Sequence, residues 1–427
     1  MSAANALIGH NFGRLGKELW TSGEQGEPIS LYAGFNEQDE ARHIVERAEQ
    51  WINEGNPRRS VAILYRSNAQ SRVLEEALIR AGPPYRIYGG QRFYERLEIR
   101  NALAYMRLLL TRSDDPALER VINTPPRGIG NKTIDNLREL ARERNVPLWT
   151  AIDIAREEKL FPARALSALG GFQALVNELD SATLEVPLEE LTEAVLQRSG
   201  LLEYHRAEKG ERGQARVENL EELVTAAKTF IAEDDELSPL QQFLDSAALD
   251  AGDTQADPHE DSIQLMTLHS AKGLEFPLVF LAGMEENLFP HRMSVEEPGR
   301  LEEERRLAYV GITRAMQQLV LTYAESRRLH GSENYNTPSR FIREMPAELI
   351  HEVRIGNSVT RPMSSLSSTA SPADEAGIRL GQRVHHATFG EGVVTNFEGR
   401  GASARVEVSF AAGSKWLVLQ YANLETY

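Results

Sequence analysis

The chain contains no cysteine. Disulfides, thiolate metal sites and cysteine nucleophiles are therefore excluded, which agrees with a reducing, cytoplasmic setting. No apolar run approaches the roughly 18 residues a membrane span needs. Residues 1–11 lack the basic region and long apolar core of a secretory signal, so no membrane partner is expected. Positive charge is scarce as well. Lys and Arg number 47 against 63 Asp and Glu, a formal net charge of −16. Such a balance argues against coating nucleic acid by bulk attraction, so any DNA contact must gather its cations locally. The last absence concerns nucleotides. The phosphate loop G-x-x-x-x-G-K-[ST] occurs nowhere in the sequence. The nearest approach, residues 13–18 (GRLGKE), has the wrong glycine spacing and a Glu where a hydroxyl should hold magnesium.

What is present reads as ordinary globular protein, 41% hydrophobic and 26% charged, and 427 residues suggest two to four domains. Residues 28–35, 61–65 and 85–88 read as strands. Between them, Ala41, Ile44, Val45, Ala48, Trp51 and Ile52, then Val73, Leu74, Ala77, Leu78 and Ala81, repeat at helical spacing. This order implies a parallel sheet covered by helices. From about residue 93 to 250 nearly every apolar run has helical period. Strands resume at 263–268, 278–283 and 319–323. The fold class expected is α/β, a parallel-sheet domain carrying an all-helical insertion large enough to own a core. Residues 356–377 are rich in Ser, Thr and Pro and read as a flexible linker. After it, short strands at 383–386, 392–397, 404–410 and 415–419 with glycine turns suggest a small SH3- or Tudor-like β-barrel. The division expected is sheet domain 1–92, helical insertion 93–256, sheet domain resumed 257–350, linker 351–377 and barrel 378–427.

Three segments concentrate chemistry. Residues 264–277 (QLMTLHSAKGLEFP) pass from a hydrophobic strand into a polar loop with His269, Ser270, Lys272, Gly273 and Glu275. Ligands of open parallel sheets sit beyond the carboxyl ends of strands, so the His269–Gly273 loop and Arg66-Ser67-Asn68 are expected along one sheet edge. Lys272 beside Gly273 sets a cation next to backbone that a phosphate can approach closely, although a Lys-Gly turn is often only a turn. Residues 301–315 (LEEERRLAYVGITRA) read as a helix that starts among acids and ends on Thr313-Arg314. Its apolar stripe of Leu307, Val310 and Gly311 reaches Arg314 next. A buried-stripe arginine must find an anion or carbonyls. The partners are either local, Glu302 to Glu304 or the last-turn carbonyls, or a transferring phosphoryl group, as for an arginine finger. Residues 124–133 (TPPRGIGNKT) read either as a tight interhelical turn or as a hairpin. In the hairpin, Gly128 and Gly130 turn amides toward a duplex phosphate while Arg127 and Lys132 flank it.

Together with residues 63–72 (ILYRSNAQSR) and 88–96 (YGGQRFYER), these segments resemble, in wording and order, the C-terminal half of the UvrD/Rep/PcrA helicases of superfamily 1. The resemblance spans essentially the whole chain. It implies a RecA-like 2A domain interrupted by a helical 2B insertion and followed by a Tudor-like tail. In that family the 2A domain closes over ATP bound to a first domain, and each cycle steps single-stranded DNA 3′ to 5′. Carried over by motif position, the resemblance implies that Arg314 touches the γ-phosphate, Glu275 the ribose and Lys272 the phosphate side of the cleft. It likewise implies that Thr267 and His269 touch the single strand, that Arg66 and Asn68 lie near the DNA path, and that Arg127, Gly128, Gly130 and Lys132 meet duplex DNA. The implied cofactor is ATP with Mg2+, held mainly by the first domain, whose phosphate loop, Asp-Glu motif and glutamine sensor do not occur here. Implied partners are single-stranded and duplex DNA, repair proteins, and RNA polymerase through the tail. For that tail surface the candidates are Arg383, His385, His386, Lys415 and Trp416, unless Trp416 fills the barrel core. The expectation is the C-terminal portion of a DNA-repair helicase, inactive alone, with residues 1–8 the end of a helix begun upstream. The other class of reading is a non-catalytic adaptor that binds duplex DNA through the insertion and a protein through the tail.

Overall fold

The computed structural model describes residues 1–12, 20, 26–183, 185–252, 260–295, 298–329, 332–353, 382–386, 389–398, 405–410, 413–418 and 424–426. The near-phosphate-loop segment 13–18 and the expected linker 356–377 lie outside these. Among the described residues nine strands belong to the larger unit: β1 Ile29–Gly34, β2 Val61–Tyr65, β3 Tyr85–Ile87, β4 Ile263–Thr267, β5 Phe276–Leu281, β6 Ala315–Ala324, β7 Arg327–Leu329, β8 Ser332–Asn334 and β9 Ile350–Val353. Seven form one sheet in the order β3-β4-β2-β5-β6-β1-β9, and each pairing is parallel. β7 and β8 make a separate antiparallel hairpin.

The central strand β2 (VAILY) is buried along its whole length. Ala62 and Leu64 enter one core and Val61, Ile63 and Tyr65 the other, as period-two alternation requires of a strand covered on both faces. The helix Glu37–Asn53 starts where Asn36 accepts a bond from Asp39 N–H (2.8 Å), with Glu37, Asp39 and Glu40 in its positive first turn. Ala41, Ile44, Val45, Ala48 and Trp51 form its buried stripe.

Between β3 and β4 the chain is helical, from Leu97–Leu110 to Pro239–Gly252, and has its own core around Tyr105, Phe172, Leu220 and Leu223. Among the described residues no helix is long and apolar enough to cross a membrane. The C-terminal strands β10 Arg383–His386, β11 Gly390–Glu398, β12 Arg405–Phe410, β13 Gly413–Val418 and β14 Glu425–Thr426 form an antiparallel sheet in the order β13-β12-β11-β10-β14. Val384, Val394, Val406, Val408 and Phe410 fill its core. Trp416 stands opposite Glu407, 38% exposed and outside that core, so it does not serve as filling.

Two expectations are corrected. Residues 351–353, taken as the start of the linker, complete β9, which pairs in parallel with β1 at the sheet's border. The helix expected over 301–315 runs instead Pro298–Ile312. It cannot continue because the Arg314 carbonyl accepts the Phe276 N–H (2.9 Å) and Ala315 enters β6 opposite Phe276.

One buried ionic group binds these layers. Arg327 donates through Nε to both oxygens of Glu285 (3.1 Å each) and through Nη2 to Glu285 Oε1 (2.6 Å) and to Glu40. Glu40 Oε1 also accepts from Gly283 N–H (2.8 Å) and the Thr322 hydroxyl (2.6 Å), and Glu285 from Ala324 N–H (2.8 Å). Burial opposes the charge on Arg327. Glu285 and Glu40 outweigh it and hold the guanidinium well above its usual range. Arg327→Met leaves two buried carboxylates without their cation and should cost about 3–5 kcal/mol in urea unfolding. Breaking the exposed Arg198–Glu178 pair should cost less than about 1 kcal/mol in the same assay.

Candidate nucleotide and nucleic-acid interface

β2 and β4 are parallel neighbours, with Tyr65 opposite Thr267. The loops that follow them therefore emerge side by side at the carboxyl end of the sheet. After β2, Gln70 Oε1 accepts from Arg66 N–H (3.0 Å) and Ser67 N–H (2.8 Å), and Ser67 caps the short turn Asn68–Gln70. That turn aims the Arg66 side chain at Glu304, with Nε 3.0 Å from both carboxylate oxygens and Nη2 2.7 Å from Oε1. Burial works to lower the Arg66 pKa and Glu304 outweighs it, so the guanidinium stays charged. Asn68 is half-buried and its carbonyl accepts from Arg96 Nη1 (2.9 Å). After β4, the Thr267 hydroxyl shares a bond with Ser270 Oγ (3.0 Å), and His269 is exposed. Desolvation and then the neighbouring Arg66 lower the His269 pKa, so its imidazole is neutral at pH 7.

The same loop then crosses the sheet. Glu275 precedes the first residue of β5, and Arg314 precedes the first residue of β6, opposite it. Glu275 and Arg314 therefore lie at the amino end, away from Arg66, Asn68 and Thr267, whereas the loops that start at Arg66 and His269 leave the sheet side by side at its carboxyl edge. Lys272, Gly273 and Glu275 are exposed along the crossing. Arg314 is half-buried. Its Nε donates to Val310 O (3.1 Å), Nη1 to Leu274 O (2.6 Å) and Nη2 to Thr313 Oγ1 (3.0 Å). In this state the guanidinium satisfies last-turn and loop carbonyls, the local alternative left open by the sequence. Gly311 lets its helix sit this close. A Cβ there would lie 2.6 Å from Leu268 Cδ2 and 2.8 Å from Leu281 Cδ2.

An open groove of about 700 Å3 follows this helix, lined by Arg66 and His269 at one end, Lys272 and Arg306 along it, and Tyr309 and Val310 toward Arg314. Sequence reasoning missed Arg306 and Tyr309 as groove residues, and Glu304 as the partner of Arg66. A pair 238 residues apart leaves no local signal.

In the helical insertion, Gly128 (φ +79°) and Gly130 are exposed, and Gly130 precedes the helix Asn131–Arg144 with no side-chain cap on its first amides. Lys132 is exposed beside them. Arg127 is not presented with it. Its guanidinium turns inward to the carbonyls of Val121 (3.2 Å), Pro125 (3.0 Å) and Ser199 (2.8 Å) and packs over the Tyr105 and Phe172 rings. The two residues thus separate by function, one a strut and one a surface cation.

The family profile described as UvrD-like helicase C-terminal domain matches residues 1–326, and the chain belongs to this family. Along its entire length it is 57% identical to DNA helicase II of Escherichia coli and 53% identical to DNA helicase II of Haemophilus influenzae. It is 38% identical to ATP-dependent DNA helicase PcrA of Bacillus subtilis. The matches cover 60%, 59% and 60% of those proteins, so the chain spans about three-fifths of the length of these relatives.

Arg127→Ala should lower the melting temperature of the helical insertion, a loss of about 2 kcal/mol from carbonyls left without donors, followed by circular dichroism. Lys132→Ala should leave that melting temperature unchanged.

Proposed function

We propose that this chain supplies the closing lobe of an ATP-dependent 3′–5′ DNA helicase acting in DNA repair. The observation that carries the reading is the groove along the helix Pro298–Ile312, which runs from the strand-end loops of Arg66 and His269 to Val310, whose carbonyl accepts from Arg314 Nε. On this reading Thr267, His269 and the Arg66–Asn68 turn meet single-stranded DNA at the carboxyl end of the sheet. Glu275 meets the ribose and Arg314 the γ-phosphate of ATP at the amino end, with Lys272 between. Arg314 exchanges the Leu274 and Val310 carbonyls for phosphate oxygens when the two lobes close, and its planar fork suits both sets of acceptors. His269, neutral at pH 7, contributes a hydrogen bond or stacking to the strand and not charge.

ATP and its magnesium belong mainly to the phosphate-loop lobe. Among the described residues no cluster of three or more His, Asp or Glu side chains could hold a metal ion. Bound there, the metal would neutralise phosphate charge, and this chain's part is to bring Arg314 to the γ-phosphate. On this reading the chain depends on that lobe for ATP turnover. Duplex DNA is met by the Gly128–Gly130 turn, the N-terminal end of the following helix, which has no side-chain cap, and Lys132, contacts that position without reading sequence. Repair proteins are proposed partners of the chain, and RNA polymerase is the proposed partner of the C-terminal sheet. Its exposed Trp416, with Lys415 beside it in sequence, and the strand β10 bearing Arg383, His385 and His386 supply the surface.

Mixing the chain with a separately produced phosphate-loop domain of a relative should give DNA-stimulated ATP hydrolysis. Arg314→Ala should reduce that rate by about 10³-fold or more. A mixture as active with Arg314→Ala as with the parent removes the finger assignment. For the duplex contact, Lys132→Ala should weaken binding at any sequence and reduce the salt slope by about one. Sequence-selective loss would contradict it. Duplex binding without any ATPase in the mixture would favour the adaptor reading.

A further inference from the structure

The helical insertion and the sheet domain have separate hydrophobic cores, and the seam between them is ionic. The helix Glu211–Thr229 puts Leu220, Leu223 and Ala227 into the insertion's own core and turns Glu218 and Glu222 to the sheet domain. Glu222 accepts from Arg72 Nε (2.7 Å). Glu218 accepts from the Ser67 hydroxyl and lies 3.1 Å from His291 Nε2. A cavity of about 70 Å3 lies beside these groups, so the seam lacks the close packing of either core.

Gln214 Nε2 on the same helix also donates to Glu218 (3.1 Å), but the two partners of Glu218 in the sheet domain lead to one residue. The backbone N–H of His291 donates to Glu304 Oε2 (3.1 Å), and Ser67 adjoins Arg66, whose guanidinium forks onto the same carboxylate. Glu304 is buried, and it sits on the helix whose far end leads to Arg314. Two short polar routes therefore run from the insertion to that helix, and Glu218 is their common origin.

We propose that Glu218 is a positioning residue that couples the seating of the helical insertion to the helix Pro298–Ile312 through His291 and Ser67, with Glu304 and Arg66 as the receiving pair. Burial would raise the Glu218 pKa, but His291 and then Ser67 hold it down at about 2, so the latch is charged at neutral pH. Its consequence for ATP turnover rests on the function proposed above, whereas the coupling itself is a property of this chain.

The test is hydrogen exchange on the 427-residue chain. Glu218→Ala should speed exchange in residues 301–312 by roughly fivefold or more, although it touches none of them, while the insertion core around Leu220 and Leu223 keeps its protection. His291→Leu, which cuts one route from a loop, should give a smaller rise in the same segment. On a Glu304→Gln background, Glu218→Ala should add little, because the receiving carboxylate is already lost. The exposed Glu178→Ala should change nothing. Unchanged exchange at 301–312 in both Glu218→Ala and His291→Leu, with the insertion intact, would overturn the coupling. In the two-lobe ATPase mixture Glu218→Ala should lower kcat while leaving KM for ATP unchanged. An unaffected kcat would confine Glu218 to a structural role. A parent mixture without ATPase would sink the helicase reading while the exchange result still decides the coupling.

Discussion

A parallel strand ends at the opposite side of the sheet from where its parallel neighbour must begin. Every connection in this seven-stranded sheet therefore carries the chain back across the layer. The loop from Thr267 to Phe276 makes one such crossing without a helix, and the helix Pro298–Ile312 makes part of another. Because both crossings pass along one groove, residues neighbouring in sequence come to serve opposite ends of the domain. His269 and Glu304 stand near the carboxyl end, and Glu275 and Arg314 at the amino end. The groove thereby links the two ends of the sheet through one loop and one helix.

The seams between elements use charge where the interiors use hydrocarbon. Arg327 with Glu40 and Glu285, Arg66 with Glu304 and Arg72 with Glu222 each hold together segments far apart in the chain. Each of these three cations has a partner carboxylate at hydrogen-bonding distance, the condition under which burial of charge is tolerable. Hydrogen-bonded ion pairs also fix direction more sharply than apolar contacts do. The Arg66 fork accordingly orients a helix, whereas the insertion core merely fills.

Much of the architecture was legible in the residues. β2 is foreseen to the residue because VAILY is apolar on both faces, and only a strand covered twice needs that. The helical insertion is legible because its stripe residues, such as Leu220 and Leu223, repeat at a period no strand can use. The end of the helix before β6 was not legible. Its stop is imposed by Phe276, which takes the Arg314 carbonyl into the ladder from far along the chain. β9 was missed because IHEV at a sheet border keeps one half-buried apolar residue and looks like linker. Arg127 illustrates the limit from the other side. Its neighbours in sequence suggest a surface cation, yet carbonyls from Val121 and Ser199 and two aromatic rings draw it inward.

By itself the order of residues determined the family, the division into a sheet with a helical insertion, and the short strings in which chemistry is concentrated. These follow from periodicity and from motifs whose residues are contiguous. Only the tertiary structure decided that the strings 264–277 and 301–315 each run from one end of the sheet to the other, that Arg66 is committed to Glu304, and that Arg314 rests on carbonyls of its own lobe. Those facts depend on partners brought together by parallel pairing and burial, and no local pattern encodes a partner two hundred residues away.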